Sequence, residues 1–158
     1  MVPFRPQGLY DWQALLGLIR RAFASMEGRI DPPSSMHRLT ENDLAQYEGE
    51  IWVTGDPAIA CVLLKPKADV LYLEKLSVEP AYKRQGHARE LIAVAEKRGR
   101  ALGCKRIELH SRVELVENHA VFFALGFQQT GMATHPGFEY PTSLLFTKDL
   151  TRQPVFPA

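Results

Sequence analysis

Cysteine, net charge and long apolar runs are all scarce in this 158-residue chain, and each scarcity removes a class of protein. Cys61 and Cys104 are the only two cysteines. They stand alone in apolar-rich stretches without Cys-x-x-Cys spacing, so the expectation is two reduced core thiols. Charge of one sign is also lacking: 19 Lys and Arg face 18 Asp and Glu, a formal net charge of +1. A dedicated nucleic-acid binder is usually strongly basic, so no nucleic-acid partner is expected. No apolar stretch approaches the ~18 residues that cross a bilayer, which argues against a membrane partner. Residues 1–13 lack the continuous apolar run of a signal peptide, and the cytoplasm is the expected compartment.

What is present is ordinary globular composition. Hydrophobic residues make up 46% and charged residues 23%, which excludes intrinsic disorder. At one domain per ~100–200 residues, the chain reads as a single domain over 1–150 with a C-terminal tail at 151–158. A chain of this length buries roughly two-thirds of its unfolded surface, enough for a core without disulfide or metal staples.

The hydrophobic spacing places the elements. Trp12, Leu15, Leu16, Ile19 and Phe23 follow a 3.6-residue period and predict an amphipathic helix over 9–24. Gly28 and the Pro32-Pro33 pair then break any helix. A short helix is expected at 40–47 with Thr40 as N-cap and Asp43 in its first turn. Two strands, 50–54 and 58–65, flank a Gly55-Asp56-Pro57 turn. A third strand runs over 69–78, with Leu71, Leu73 and Lys75 expected on one face and Tyr72, Glu74 and Leu76 on the other. From Ala88 to Leu102 the pattern is helical again, with Leu91, Ile92, Ala95 and Leu102 as the apolar stripe and Gly103 as the left-handed C-cap. A strand at 106–111, a helix at 117–125 ended by Gly126, and strands near 127–133 and 143–149 complete a mixed α/β layer fold.

The most informative segment is 73–92. A strand ends at Val78, a short loop holds Lys83, Arg84, Gln85, Gly86, His87 and Ala88, and a helix begins at once. Helix N-termini carry unpaired N–H groups and partial positive charge, which suits phosphate. Gly86 and Ala88 would let a bulky anion approach the backbone, and Lys83, Arg84 and Arg89 add cations. No Gly-Lys-Ser/Thr follows and the three-glycine dinucleotide spacing is absent, so neither a P-loop nor a dinucleotide fingerprint is present. On these residues alone an anion site and an ordinary strand–helix turn with solvated basic residues both stay open.

The segment resembles the acetyl-CoA signature of the GNAT family of N-acetyltransferases, a strand followed by Gln/Arg-x-x-Gly-x-Gly/Ala. Here it reads Lys83-x-x-Gly86-x-Ala88, with Lys in the first place, preceded by Leu76-Ser77-Val78-x-Pro80. Residues 117–127, ending in Leu125-Gly126-Phe127, resemble the second signature of the family. The resemblance implies the GNAT fold: a mixed, splayed sheet of about six to seven strands flanked by about four helices (α/β, or α+β). It further implies acetyl-CoA as cosubstrate and acetyl transfer to a primary amine of a small molecule or a peptide. By the same resemblance Leu76 and Val78 offer main-chain groups to the pantetheine arm. The backbone N–H groups of residues 84 to 89 hold the diphosphate, and Asn118 contacts the pantetheine end.

The reaction needs a neutral amine, an activated carbonyl and a proton for the leaving thiolate. Glu74, four residues before Val78, is the expected base, taking the ammonium proton directly or through water. For the thiolate, many family members carry a tyrosine where this chain has Phe122, which cannot donate a proton. Tyr140, in the loop between the last two strands, is the expected substitute; Tyr72, His110 and water remain alternatives. Phe122 also motivates a second reading, a catalytically inactive CoA-binding sensor or regulatory subunit. His110, His119 and His135 are nine and sixteen residues apart, which matches no compact zinc pattern, and no metal is expected. The basic run Lys97, Arg98, Arg100, Lys105 and Arg106 reads as a solvated helix face and loop. Glu27, Arg29 and Asp31, within 25–38, lie where the family builds its acceptor-side wall. Self-association into a homodimer stays open.

Overall fold

Asp11 starts the first helix, α1 (Trp12–Phe23), by accepting the Ala14 N–H through its side chain at 3.0 Å. The computed structural model describes residues 1–152. Of the tail expected at 151–158, residues 153–158 lie outside the described residues. Helix α1 buries Leu15, Leu16, Leu18 and Ile19. Two 3₁₀ turns, Ala24–Met26 and Ser35–Arg38, lead to α2 (Glu41–Ala45). There Thr40 and Asp43 form a reciprocal capping box with bonds of 2.9 and 3.1 Å. Such a box satisfies two N–H groups that a helix start leaves without partners.

Strands β1 (Glu50–Thr54), β2 (Ala60–Lys67) and β3 (Val70–Val78) form an antiparallel meander. Helix α3 (His87–Ala101) crosses over to β4 (Arg106–Arg112), which lies parallel to β3. Helix α4 (Val116–Ala124), β5 (Gln128–Ala133) and β6 (Ser143–Asp149) follow. The sheet order is β1-β2-β3-β4-β6-β5. This is the mixed sheet expected from the sequence, with six strands and four α-helices among the described residues.

Apolar side chains pack on both faces of the sheet. Val62, Leu64, Leu71 and Leu73 meet Leu91, Ile92 and Ala95 of α3, while Val53, Cys61 and Leu63 meet Leu15, Leu18 and Ile19 of α1. Strand β2 is therefore buried on both faces from Ala60 to Leu64, which is why its sequence is a continuous apolar run rather than an alternation. Cys61 and Cys104 are free and buried as expected, and burial pushes the Cys61 thiol up to about 12.

Two expectations about α3 need correction. Leu102 is not part of the stripe: it caps the helix and is 43% exposed. The sheet-facing place belongs to Gly99, where an added Cβ would meet Leu150 Cδ1 at 2.5 Å. Nor is the basic run merely solvated. Arg98 grips buried Glu50 of β1 with bonds of 2.8 and 2.7 Å, and Arg106 pairs with Glu108.

Candidate active site

Strands β3 and β4 share only three paired positions, from Val70–Arg106 to Tyr72–Glu108. Beyond these, β4 stays paired with β6 to Arg112 and β3 stays paired with β2 to Val78, so a notch opens between β3 and β4. The cause is a bulge. Lys75 and Leu76 together oppose the single residue Val62, because Cys61 pairs with Ser77 and Leu63 with Glu74. Lys75 takes φ +54°, and its carbonyl accepts bonds from Ser77 Oγ at 2.8 Å and Cys61 Sγ at 3.7 Å. A bulge bends its strand and sharpens its twist, which carries the second half of β3 away from β4.

The bulge overturns the expected face assignment. Leu76 and Val78 pack with the cluster on the α3 face, whereas the Lys75 ammonium lies 5.9 Å from the Phe23 ring on the α1 face. The simple alternation places Lys75 and Leu76 on the wrong sides because one extra residue shifts the period by one. Functionally, the unpaired β3 stretch that contains Leu76 and Val78 is an internal sheet edge. An edge of free N–H and C=O groups accepts an extended ligand as an added strand.

The loop after β3 is built for an anion. Gly86 sits at φ +87° as the N-cap of α3, with no side-chain cap bond. The first helical bond at this end joins Glu90 N–H to Gly86 C=O at 3.0 Å. Among the described residues, the six N–H groups from Arg84 to Arg89 have no hydrogen-bond partner. Lys83, Arg84, Gln85 and Arg89 are exposed around them, Ala88 is half-buried, and Glu90 is the one acid in the first turn. An added Cβ on Gly86 would meet nothing within 4 Å, so the space before the helix is open. His87 is buried with its ring edge toward Tyr82, and its Nδ1 has no partner. Free amides, cations, an orphaned buried nitrogen and open space together fit a diphosphate.

Glu74 is exposed on β3, at the bulge and on the face toward α1 and α2. Its partner is a phenol that sequence reasoning missed: Tyr47 Oη donates to Glu74 Oε1 at 2.8 Å. Desolvation, then the Glu74 charge, pushes the Tyr47 phenol well above its ordinary range. Tyr47 therefore stays a donor and supports the charged carboxylate, while Glu74 Oε2 has no hydrogen-bond partner in the described residues. The two lie 27 residues apart, and no local pattern links them.

Tyr140 is 57% exposed, its ring edge-on to Phe138 at 5.9 Å, and no hydrogen bond joins it to Glu74. Phe122 packs against Phe127 and Phe146. Asn118 is half-buried in the first turn of α4. His110 is exposed on β4. His119 is buried, its Nε2 meeting the Arg112 carbonyl at 2.8 Å, and His135 is half-buried and bonded to Thr142.

The segment 25–38 bridges the notch. Arg29 reaches Glu117 on α4 with bonds of 2.5 and 3.0 Å, and these bonds hold the Glu117 carboxyl down at about 2. The Asp31 N–H donates to Glu114 Oε2 at 3.0 Å, and Arg112 donates to the carbonyls of Pro32 and Pro33 at 2.7 and 3.2 Å. Arg29, expected on the acceptor-side wall, is thus engaged by Glu117.

Comparison with known proteins places this geometry in context. A family model described as the Acetyltransferase (GNAT) family matches residues 12–127. The uncharacterized N-acetyltransferase YjgM of Escherichia coli (strain K12) is 33% identical over 90 residues, 57% of this chain and 52% of the relative. The aminoglycoside N(6')-acetyltransferase type 1 of Stenotrophomonas maltophilia is 37% identical over 59 residues, 37% of this chain and 39% of the relative. The match thus spans about half the length of the first relative and about two-fifths of the second. Among solved structures, the PaiA N-acetyltransferase of Thermoplasma acidophilum, in complex with coenzyme A, aligns with a TM-score of 0.74 and 15% identity. The alignment covers 94% of this chain and 99% of that one, and it speaks for the fold alone.

Proposed function

The chain belongs to the acetyltransferase (GNAT) family, and from that premise we propose that it is an N-acetyltransferase that moves the acetyl group of acetyl-CoA to a primary amine. The observation that carries this reading is the juxtaposition at the β3 bulge: an open sheet edge, six free N–H groups at the next helix start, and a carboxylate with one free oxygen. The amides of Arg84 to Arg89 hold the diphosphate, and Lys83, Arg84 and Arg89 supply the surrounding positive potential. The main chain at Leu76 and Val78 aligns the pantetheine arm, and Asn118 meets its far end from α4. The domain spans 1–150.

The thioester supplies an already reactive acyl group, so positioning does much of the work. Glu74 Oε2 takes a proton from the acceptor ammonium while Tyr47 fixes the other carboxylate oxygen. The freed amine nitrogen bonds to the acyl carbon as the carbon–sulfur bond breaks, and the electron pair leaves with the thiolate. The nitrogen sheds its second proton to solvent, and the thiolate gains one from water or from Tyr140, which solvent then reprotonates. A thiolate is weakly basic beside an alkoxide, so late protonation is tolerable and Phe122 does not exclude catalysis. The relative's aminoglycoside and the neighbour's coenzyme A, taken from their names, support amine acetylation with a CoA thioester. The test is CoA release from acetyl-CoA across a panel of primary amines, with mass spectrometry of the product. Amine-dependent release is expected, with a product in which one acetyl group has replaced one hydrogen of the amine. Tight CoA binding with silence on every amine replaces the enzyme with a sensor.

A further inference from the structure

A cavity of about 360 Å³ opens between the end of α1 and the following 3₁₀ turns, with apolar walls from Phe23, Met26, Ile30, Pro33 and Met36. Its volume falls within the ~300–1,000 Å³ range of small-molecule sites. Glu27 supplies its one carboxylate, which is exposed and sits 3.8 Å from His37 Nε2. The Ser34 hydroxyl is engaged by the Met36 N–H at 3.2 Å. The polar side chains of the lining are thus few, and Glu27 and Ser34 each have a neighbour within the segment.

Position matters as much as lining. Phe23 is a wall of the cavity, and its ring also faces the Lys75 ammonium, the neighbour of Glu74 in sequence. Lys75 shares the α1 face with Glu74, which pairs with Leu63 of the α1-side cluster, so the cavity and the base lie on the same face of the sheet. Its outer wall is tied in place from across the notch by Arg29 to Glu117, Asp31 to Glu114 and Arg112 to Pro32 and Pro33. Its inner wall, Met36, is 3% exposed in the core beneath α1. A pocket held at both sides needs little reordering on binding.

We propose that this cavity selects the acceptor by its apolar body: a monoamine bearing one compact aromatic or branched aliphatic group on a short spacer. The inference rests on the N-acetyltransferase reading and names the substrate class for it. A polyamine fits poorly, because a second ammonium would face Phe23, Met26 and Ile30 and find only Glu27, which is exposed and lies 3.8 Å from His37 Nε2. Sorting apolar groups by a fitted pocket is worth ~10-fold or more in kcat/KM for even one methylene.

Phenethylamine, ethylamine and spermidine are to be compared as acceptors, alongside calorimetric binding of phenethylamine to the CoA-saturated protein. Phenethylamine should exceed the other two by at least ~10-fold in kcat/KM. Ile30→Trp, which fills the cavity from a half-buried position, should erase that preference and weaken phenethylamine binding ~10-fold or more, with CoA binding and melting temperature retained. Met26→Trp repeats the test from a second wall should Ile30→Trp melt early. Phenethylamine binding that both fillings abolish, with no amine turned over, supports the cavity and overturns the transferase reading. Turnover with no preference among the three amines, or with spermidine preferred, overturns the cavity assignment and leaves the transferase standing. Absence of phenethylamine binding at millimolar concentration overturns it as well.

Discussion

Replacing Gly86 with valine separates the anion site from everything else the loop does. Gly86 lies at φ +87° and ψ 5°, a left-handed conformation that costs an L-residue about 1–2 kcal/mol. No clash adds to this, since a Cβ there meets nothing within 4 Å. The fold should survive with a melting temperature lowered by about 2–8 °C, at ~2–4 °C per kcal/mol for a domain of this size. Binding suffers more. The valine side chain enters the space in front of the N–H groups of Gln85 to Ala88, and a hydrogen bond to a charged group is worth about 1.5–3 kcal/mol. Losing one, together with the steric exclusion, should cost at least ~2 kcal/mol, or ~30-fold in the dissociation constant for CoA. Pantetheine, which has no diphosphate, should bind wild type and variant alike. Gly86→Ala supplies most of the strain with little of the bulk and should lose less. Calorimetry with both ligands reads the difference. Equal weakening of CoA and pantetheine, or unchanged CoA binding in a folded Gly86→Val protein, would refute the placement of the diphosphate.

Other perturbations address the carboxylate, the missing tyrosine and the core. Glu74→Gln should lower the rate ~10²-fold near neutral pH with CoA affinity nearly unchanged, the defect shrinking at high pH where the amine deprotonates unaided. Tyr47→Phe, which removes the donor at 2.8 Å, should cost less than Glu74→Gln and add little to it in the double variant. An unchanged pH–rate profile in Glu74→Gln would move the base elsewhere. Phe122→Tyr should change kcat by less than about tenfold, below ~1.4 kcal/mol, and Tyr140→Phe read in the same assay reports whether that exposed phenol donates the thiolate proton. Activation by orders of magnitude in Phe122→Tyr would favour the sensor. Arg98, with help from Trp52, holds the Glu50 carboxyl below its ordinary value. A depressed carboxyl contributes stability that is complete above its unfolded value near ~4.3 and is lost as pH falls through the folded value. Glu50→Gln should therefore cost about 1–3 kcal/mol at pH 7 and flatten the decline of melting temperature below pH 5, which thermal scans across pH will show.

Much of the fold is legible in the chain because local signals agree with it. Thr40 with Asp43, the 3.6-residue spacing of α1 and the glycines after α3 and α4 each act within a few residues. The anion loop is legible for the same reason: a strand end, a glycine and a helix start are adjacent in sequence. What escapes the sequence is made by distant partners. The bulge at Lys75 depends on Cys61 and Val62 of the neighbouring strand, so alternation alone misplaces Lys75 and Leu76. Tyr47 reaches Glu74 only because the end of α2 folds over the sheet. The strap over the notch joins residues 79 or more positions apart, as Arg29 to Glu117 and Arg112 to Pro33 do. No short-range pattern encodes such a pairing.

The most direct measurement is an amide nuclear magnetic resonance titration of the wild-type chain with CoA. The account predicts the largest shifts at the N–H groups of Arg84 to Arg89, with a second set along Leu73 to Val78 where β3 has no partner on its β4 side. Saturation without shifts in either segment, or no binding at millimolar CoA, would contradict it.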